Sequence, residues 1–183
     1  MRTSIFLALL LFLASCGQQQ TSNDQSAAAP AASEDTGQSN VQDSESQPDV
    51  VRIAVNSADH TTLVAALKAA GYVDELSNAG PFTVFAPTNA AFEKLPAGTV
   101  ETLVKPENKE KLRDILEYHV FVGVVSENLV KDGMKLNQVN LENVTLGKKD
   151  GKLTVNGANV LGSARGSNGV VYIIDTVLLP PEK

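Results

Sequence analysis

Apolar side chains divide the chain into three stretches of different pattern. An unbroken apolar run occupies Ile5 to Ala14. From residue 17 to 48 they almost vanish; apart from alanine and proline, only Val41 remains. After Asp49 they return with regular spacing. Leu63, Ala66, Leu67 and Ala70 fall at i, i+3, i+4 and i+7, which predicts a helix over 61–70 with Asp59 or Thr61 as N-cap and Gly71 at its end. Leu112, Ile115, Leu116 and His119 repeat that spacing and predict a second helix over 107–118, with Pro106 suited to its first turn. Between the two, Phe82–Ala86 alternates as a strand and ends at Pro87. A short helix follows from Thr88, whose hydroxyl is placed to accept a backbone N–H.

The second half has a period of two. Val144 and Leu146 alternate with polar residues, as do Leu153 and Val155, with Asp150-Gly151 between the pairs. Asp-Gly between alternating runs predicts a hairpin, because the tight turn needs positive φ. Asn156-Gly157 and Asn168-Gly169 mark further turns. Val170–Ile174 is almost wholly apolar, as a strand covered on both faces would be. Helices first and an antiparallel sheet later give the α+β class.

The two N-terminal stretches carry their own chemistry. Met1-Arg2-Thr3-Ser4 followed by ten apolar residues has the form of a secretory signal peptide and is too short to span a bilayer. Leu13-Ala14-Ser15-Cys16 resembles the lipobox of bacterial lipoproteins. That resemblance implies cleavage before Cys16, acylation of Cys16 and a firm membrane anchor, since several chains hold far better than one. Gly17 in place of Asp, by resemblance to Gram-negative lipoproteins, implies an outer-membrane location, on the periplasmic or the surface face. Residues 17–48 cannot bury enough surface to offset their ordering entropy and are expected to be a passive tether of about 30 Å reach. The expected organisation is a signal peptide over 1–15, a lipidated Cys16 with a disordered acidic linker over 16–48, and one folded domain over 49–183.

Charge and composition narrow the chemistry of that domain. The chain of 183 residues has a net charge of -6. Residues 16–48 hold Asp24, Glu34, Asp35, Asp43 and Glu45 and no Lys or Arg, and residues 1–15 hold only Arg2, which together leave the body at -2. Neither part has the basic face that nucleic acid requires. One Cys and two His build neither a zinc site nor a disulfide framework. Gly-x-Ser-x-Gly and Walker motifs are absent, and Gly162, Gly166 and Gly169 precede a strand rather than a helix. Catalytic residues, metal and cofactor are accordingly not expected.

Three blocks carry a family resemblance. Pro81–Phe92, reading PFTVFAPTNAAF, resembles the first signature of the fasciclin (FAS1) family. Tyr118-His119 resembles its central Tyr-His pair, and Ser167–Asp175 with Val177–Pro181 its second signature. Order and spacing agree across about 49–181. The resemblance implies an α+β fold in which an antiparallel β wedge or sandwich packs with several α-helices.

Thr83, Phe85, Pro87, Thr88, Asn168, Gly169 and Asp175 are signature residues with expected structural roles. Asp175 interrupts an apolar run and is expected to be buried, pinning neighbouring backbone N–H groups, since an unpaired buried carboxylate is costly. His119 lies on an apolar helix face, where a lone histidine is usually a core residue with one nitrogen satisfied. The resemblance adds a sharper alternative, in which Tyr118 and His119 belong to a partner-binding region. His60 is expected on exposed polar surface.

The chain also departs from the family pattern. Ser163 and Ala164 stand where some animal members carry an Asp-Ile pair linked to integrin adhesion, and the nearest string to Arg-Gly-Asp is Arg165-Gly166-Ser167. Tyr172 replaces a common histidine of the second signature. The expected function is a non-catalytic, lipid-anchored module for cell-surface adhesion or macromolecular interaction. Its partners are the membrane, through Cys16, and a protein or polysaccharide not identified by sequence, with no nucleic acid. The alternative is a periplasmic carrier or sensor of a small ligand, which needs a preformed apolar pocket of roughly 300 Å³ or more.

Overall fold

A computed structural model of the chain describes residues 47–181. The expected signal peptide, Cys16 and nearly all of the linker lie outside the described residues.

The helical first half follows the spacing rules with two adjustments at the helix starts. Helix α1 (Val50–Val55) opens where the Asp49 carboxylate accepts the Arg52 N–H at 2.7 Å. Helix α2 (Thr61–Ala70) buries Leu63, Ala66, Leu67 and Ala70 and closes at Gly71 with φ 66°. Its cap is neither Asp59 nor Thr61. A 3-10 turn over Ala58–His60 leads into it, and the Thr62 N–H is taken at 3.0 Å by the side chain of Asn89, from the first signature block. After α3 (Val73–Ser77) and strand β1 (Phe82–Pro87), Thr88 caps α4 (Asn89–Glu93) by accepting the Ala91 N–H at 3.3 Å. Helix α5 (Thr99–Leu103) follows. Helix α6 (Lys109–Tyr118) starts two residues later than expected, because Pro106–Asn108 forms a 3-10 turn.

The second half is strand after strand: β2 (Val120–Val122), β3 (Met134–Asn137), β4 (Asn143–Lys149), β5 (Lys152–Val155), β6 (Ala158–Gly166) and β7 (Gly169–Ile174). Asp150-Gly151 and Asn156-Gly157 have positive φ at both residues, as tight mirror-image turns require. Asn168-Gly169 does not. The turn there is Ser167-Asn168, and Gly169 already belongs to β7. Glycine is needed at 169 for another reason: a Cβ would collide with the Phe82 carbonyl of the neighbouring strand.

The strands form one sheet in the order β2-β1-β7-β6-β5-β4-β3. Every neighbouring pair is antiparallel, as expected, except β1 and β7, which run parallel with Val84 opposite Val171. The exception is topological, since helices α4 to α6 and the β2–β6 meander lie between these two strands in the chain and return β7 to the flank of β1 in the same direction. The fold is therefore α+β with a mixed sheet.

Strand β7 lies inside the sheet, between β1 and β6, and is covered on both faces. Val171 joins Val84, Ala86, Leu63, Leu67 and Leu116 on the helical side. Val170, Tyr172 and Ile174 join Phe85, Leu146, Leu153 and Val155 on the other. The nine-residue β6 links the two halves of the sheet. It pairs with β5 only through Ala158 and Asn159, shifts register between Val160 and Gly162, and then follows β7 to Gly166. That β-bulge bends the strand away from β5. Beyond it, β6 has β7 on one side and no described strand on the other.

Candidate functional site

The signature residues act first as clamps. Asn168 accepts the Val50 N–H at 2.9 Å and donates to the carbonyls of Leu76 (2.7 Å) and Asn78 (2.8 Å), while its own carbonyl accepts the Phe82 N–H. The side chain thus joins the start of α1 to the end of α3, and the backbone carbonyl of the same residue holds the mouth of β1. Thr83, fully buried, donates to the Gly123 carbonyl at 2.7 Å and accepts the Val125 N–H at 3.0 Å. It holds the chain leaving β2 against β1. Phe85 stacks on Tyr172 with centroids 6.1 Å apart, and the Tyr172 hydroxyl donates to the Val125 carbonyl at 2.8 Å. The tyrosine that replaces the common histidine therefore ties the same loop a second time. Pro87 ends β1 and is fully buried.

Tyr118 and His119 both point inward. The Tyr118 hydroxyl donates to the Asn143 carbonyl (3.1 Å) and accepts from Asn156 Nδ2 (2.8 Å), so it fastens the end of α6 to β4 and to the β5–β6 turn. His119 is 4% exposed. Its Nδ1 meets the Ile115 carbonyl at 2.8 Å, and its Nε2 accepts the Leu178 N–H at 3.0 Å. Because Nε2 must be the acceptor, the proton sits on Nδ1 and the ring is neutral. Burial drives its pKa down to about 4, against the smaller opposing effect of the Ile115 carbonyl. Both nitrogens are satisfied, one more than expected. Neither ring has a polar atom left for a partner, and the pair serves to join α6, the meander and the C-terminal segment.

The structure corrects two other positions. His60, expected on the surface, is 3% exposed and pairs through Nδ1 with Ser57 Oγ at 2.7 Å. The 3-10 turn folds its ring under the start of α2, and burial lowers its pKa although Asp59 pulls the other way. Asp175, expected to be buried, lies one residue past the end of β7 and is half-exposed, because the chain leaves the sheet there. Its expected bonding pattern is present: it accepts the Asn159 N–H (2.9 Å), Asn159 Nδ2 (2.7 Å) and the Thr176 hydroxyl (3.0 Å). Desolvation pushes its carboxyl pKa up, but these hydrogen bonds and the Lys94 charge together hold it below the usual range. Asp175→Ala is expected to lower stability by about 1 kcal/mol, the scale of a half-exposed charged hydrogen-bond set. A urea midpoint equal to the parent's would show that these bonds contribute nothing.

With the signature residues engaged inside, the open surface lies beside β6. A cleft of about 580 Å³ runs between this strand and the β4–β5 hairpin, lined by Lys149, Asp150 and Lys152 on one wall and Asn159 to Ser163 on the other, with Glu127 nearby. The bulge turns Leu161 outward, 61% exposed. Ser163, at the position of the animal adhesion dipeptide, lines the same cleft. Alternation alone did not mark this place; an apolar Val160-Leu161 pair followed by Gly162 was the available signal, because two adjacent apolar residues break a period of two. The apolar hollows under the helices are far smaller. One lies against Val84, Leu116 and His119 and the other against Phe92, Leu103 and Ile115, each with room for about 20 Å³. That is on the order of one water.

Comparison with known proteins agrees with this geometry. The fasciclin domain profile matches residues 58–180. Protein sll1483 of Synechocystis is 50% identical over 133 residues, covering 72% of this chain and 73% of that protein. The immunogenic protein MPB70 of Mycobacterium bovis is 41% identical, covering 82% and 78% respectively. The cell surface glycolipoprotein MPB83 of the same species is 39% identical over 140 residues, covering 74% of this chain and 62% of its own length. A solved FAS1 domain pair from the insect cell adhesion molecule fasciclin I superposes with a TM-score of 0.65 over 73% of this chain and 51% of that one, at 18% identity. At that identity the likeness concerns the fold.

Proposed function

Because this chain belongs to the fasciclin-domain family, we propose that its folded body is a non-catalytic binding module of the cell envelope, held to a membrane by acylated Cys16 and engaged in adhesion or another macromolecular contact. The observation that carries this reading is the distribution of chemistry. The buried polar signature side chains bond within the body, whereas the roomy feature is an open cleft with mixed charge beside an uncovered strand edge. Such a surface suits a macromolecular partner. The small-ligand carrier has less support: the two enclosed apolar hollows fall more than tenfold short of the roughly 300 Å³ a ligand pocket needs, and the hollow of about 330 Å³ beside Asn89, Phe92, Leu95 and Val100 is an open groove of mixed polarity rather than an enclosed apolar pocket. A lipid-anchored, envelope-facing position is favoured by the Leu13–Cys16 motif and by the likeness to a mycobacterial cell surface glycolipoprotein.

Two measurements test the proposal. Cys16→Ala is expected to move the protein from the membrane to the soluble fraction. Mass spectrometry finding an unmodified Cys16 in the membrane-bound parent would remove the anchor from the proposal. Crosslinking in the native envelope, followed by partner identification, is expected to capture a protein or polysaccharide through Lys149 or Lys152 on the cleft wall. Capture that is unchanged after both lysines are replaced by serine would move the binding surface elsewhere.

A further inference from the structure

Three hairpin turns, β3–β4, β4–β5 and β5–β6, hold residues at positive φ. Asp150-Gly151 and Asn156-Gly157 use residue types that tolerate that region. The β3–β4 turn does not. Its Gln138 N–H donates to the Glu142 carbonyl at 2.8 Å and its Leu141 N–H to the Gln138 carbonyl at 2.9 Å, so Val139, Asn140 and Leu141 form the loop. A loop of this length carries its left-handed residue last, where glycine is the usual choice. Here that residue is Leu141, with φ 69°. A leucine is disfavoured there, because its Cβ crowds the following carbonyl oxygen. Burial does not compensate. Leu141 is 78% exposed, the most open of the large apolar side chains among the described residues. The turn is nevertheless braced around it. Asn137 Nδ2 donates to the Leu141 carbonyl at 2.8 Å, and Asn140 Oδ1 accepts the Glu142 N–H at 3.1 Å. Asn140 Nδ2 lies 3.4 Å from both the carbonyl and the carboxylate of Asp114 on α6. The Val139 N–H donates to the Val120 carbonyl of β2 at 2.9 Å. Two asparagines, a residue type suited to the left-handed position, thus hold a leucine in it instead. Exposed apolar residues scattered singly are ordinary. One fixed by its neighbours in a costly conformation is different, since such strain collects where a side chain is presented to a ligand or partner.

We propose that Leu141 is a pre-positioned anchor that enters an apolar socket on a protein partner. The leucine stands between Glu142, its neighbour in the chain, and Asp114, which the same turn touches through Asn140. The contact is therefore apolar at its centre and acidic at its rim. An anionic lipid surface repels such a rim, whereas an apolar socket edged with lysine or arginine matches both parts. Holding the leucine rigidly in advance lowers the ordering cost of binding. Leu141 precedes the start of β4 and Lys149 ends that strand, roughly 20 Å away at strand spacing. The anchor is thus a contact point separate from the cleft. It rests on the reading of the body as a binding module, and not on the cleft being the surface used.

Photocrosslinking tests it in the full chain, produced in its native envelope with p-benzoylphenylalanine in place of Leu141. Irradiation is expected to join position 141 to a different protein. An excess of purified full chain carrying Cys16→Ser is expected to suppress that adduct at least about fivefold, and the same chain also carrying Leu141→Gly is expected not to, as truncation of an anchor implies. An adduct with lipid or with a second copy of this chain, or no adduct, would overturn the proposal. Capture through Lys149 or Lys152 with none at 141 would remove the anchor and leave the cleft reading standing. Thermal melting of the purified full chain supplies a second readout. Leu141→Gly is expected to raise the melting temperature by about 3 °C, whereas Leu141→Ala, which keeps the crowded Cβ, is expected not to raise it. A Leu141→Gly chain that melts below the parent would show that the leucine serves the fold itself, and would equally overturn the proposal.

Discussion

Asn168→Ala is expected to cost about 3 kcal/mol of stability, because one truncation removes three hydrogen bonds that join α1, α3 and the turn before β7. In a body of this size, that corresponds to a fall of about 10 °C in melting temperature. Asn168→Asp separates this explanation from a simple turn preference. Aspartate keeps the oxygen that accepts the Val50 N–H, but it sets an anion against the carbonyls of Leu76 and Asn78. It is therefore expected to be at least as damaging as alanine. A variant Asn168→Asp that melts like the parent would show that the side chain serves only the local turn.

The second large effect is a loss of stability in acid. His119 stays neutral in the folded chain down to about pH 4, whereas the unfolded chain protonates it near the ordinary histidine value of 6.5. Between those limits the unfolded state binds the extra proton, so stability falls as pH falls, by about 3 kcal/mol across the window. Protonation would also place a hydrogen on Nε2, which now accepts the Leu178 N–H, and would loosen the segment after β7. His60, whose pKa is also lowered, acts in the same direction. Asp175 enters later: its depressed carboxyl contributes stability that begins to be lost only as pH falls towards and below 3.8. Urea unfolding of His119→Leu is expected to show a lower midpoint at pH 7, since the Leu178 N–H loses its acceptor, and a shallower decline from pH 6.5 to 4. A decline as steep as the parent's would assign the acid response to another group.

Much of the architecture was legible because it rests on neighbours in the chain. The helix at 61–70, the cap at Thr88 and the Asp150-Gly151 and Asn156-Gly157 turns follow from spacing and φ preferences that act within a few residues. The Asn168-Gly169 pair was misleading for the same reason. Its residues suit a local turn, but their requirement comes from β1 and from α1 and α3, which lie far away in sequence. The start of α2 is similar, with its cap supplied by Asn89.

The candidate site was less legible. Tyr118 and His119 stand out as polar residues next to an apolar helix face, but only the packed chain supplies Asn143, Asn156, Ile115 and Leu178 to satisfy them. The cleft beside β6 depends on a bulge, which gives no periodic signal, and on how the bent strand parts from a hairpin that was itself legible.

The sequence by itself determined the succession of helices and strands in the folded body, and the family. Each of these is written in composition, period or contiguous motif, which act at short range along the chain. Tertiary structure alone decided that β1 and β7 run parallel, that His60 is buried, that Asp175 is half-exposed, and where the open surface lies. Those outcomes depend on which distant segments meet, and β6, inside the sheet order, shows an open edge only where its bend parts it from β5.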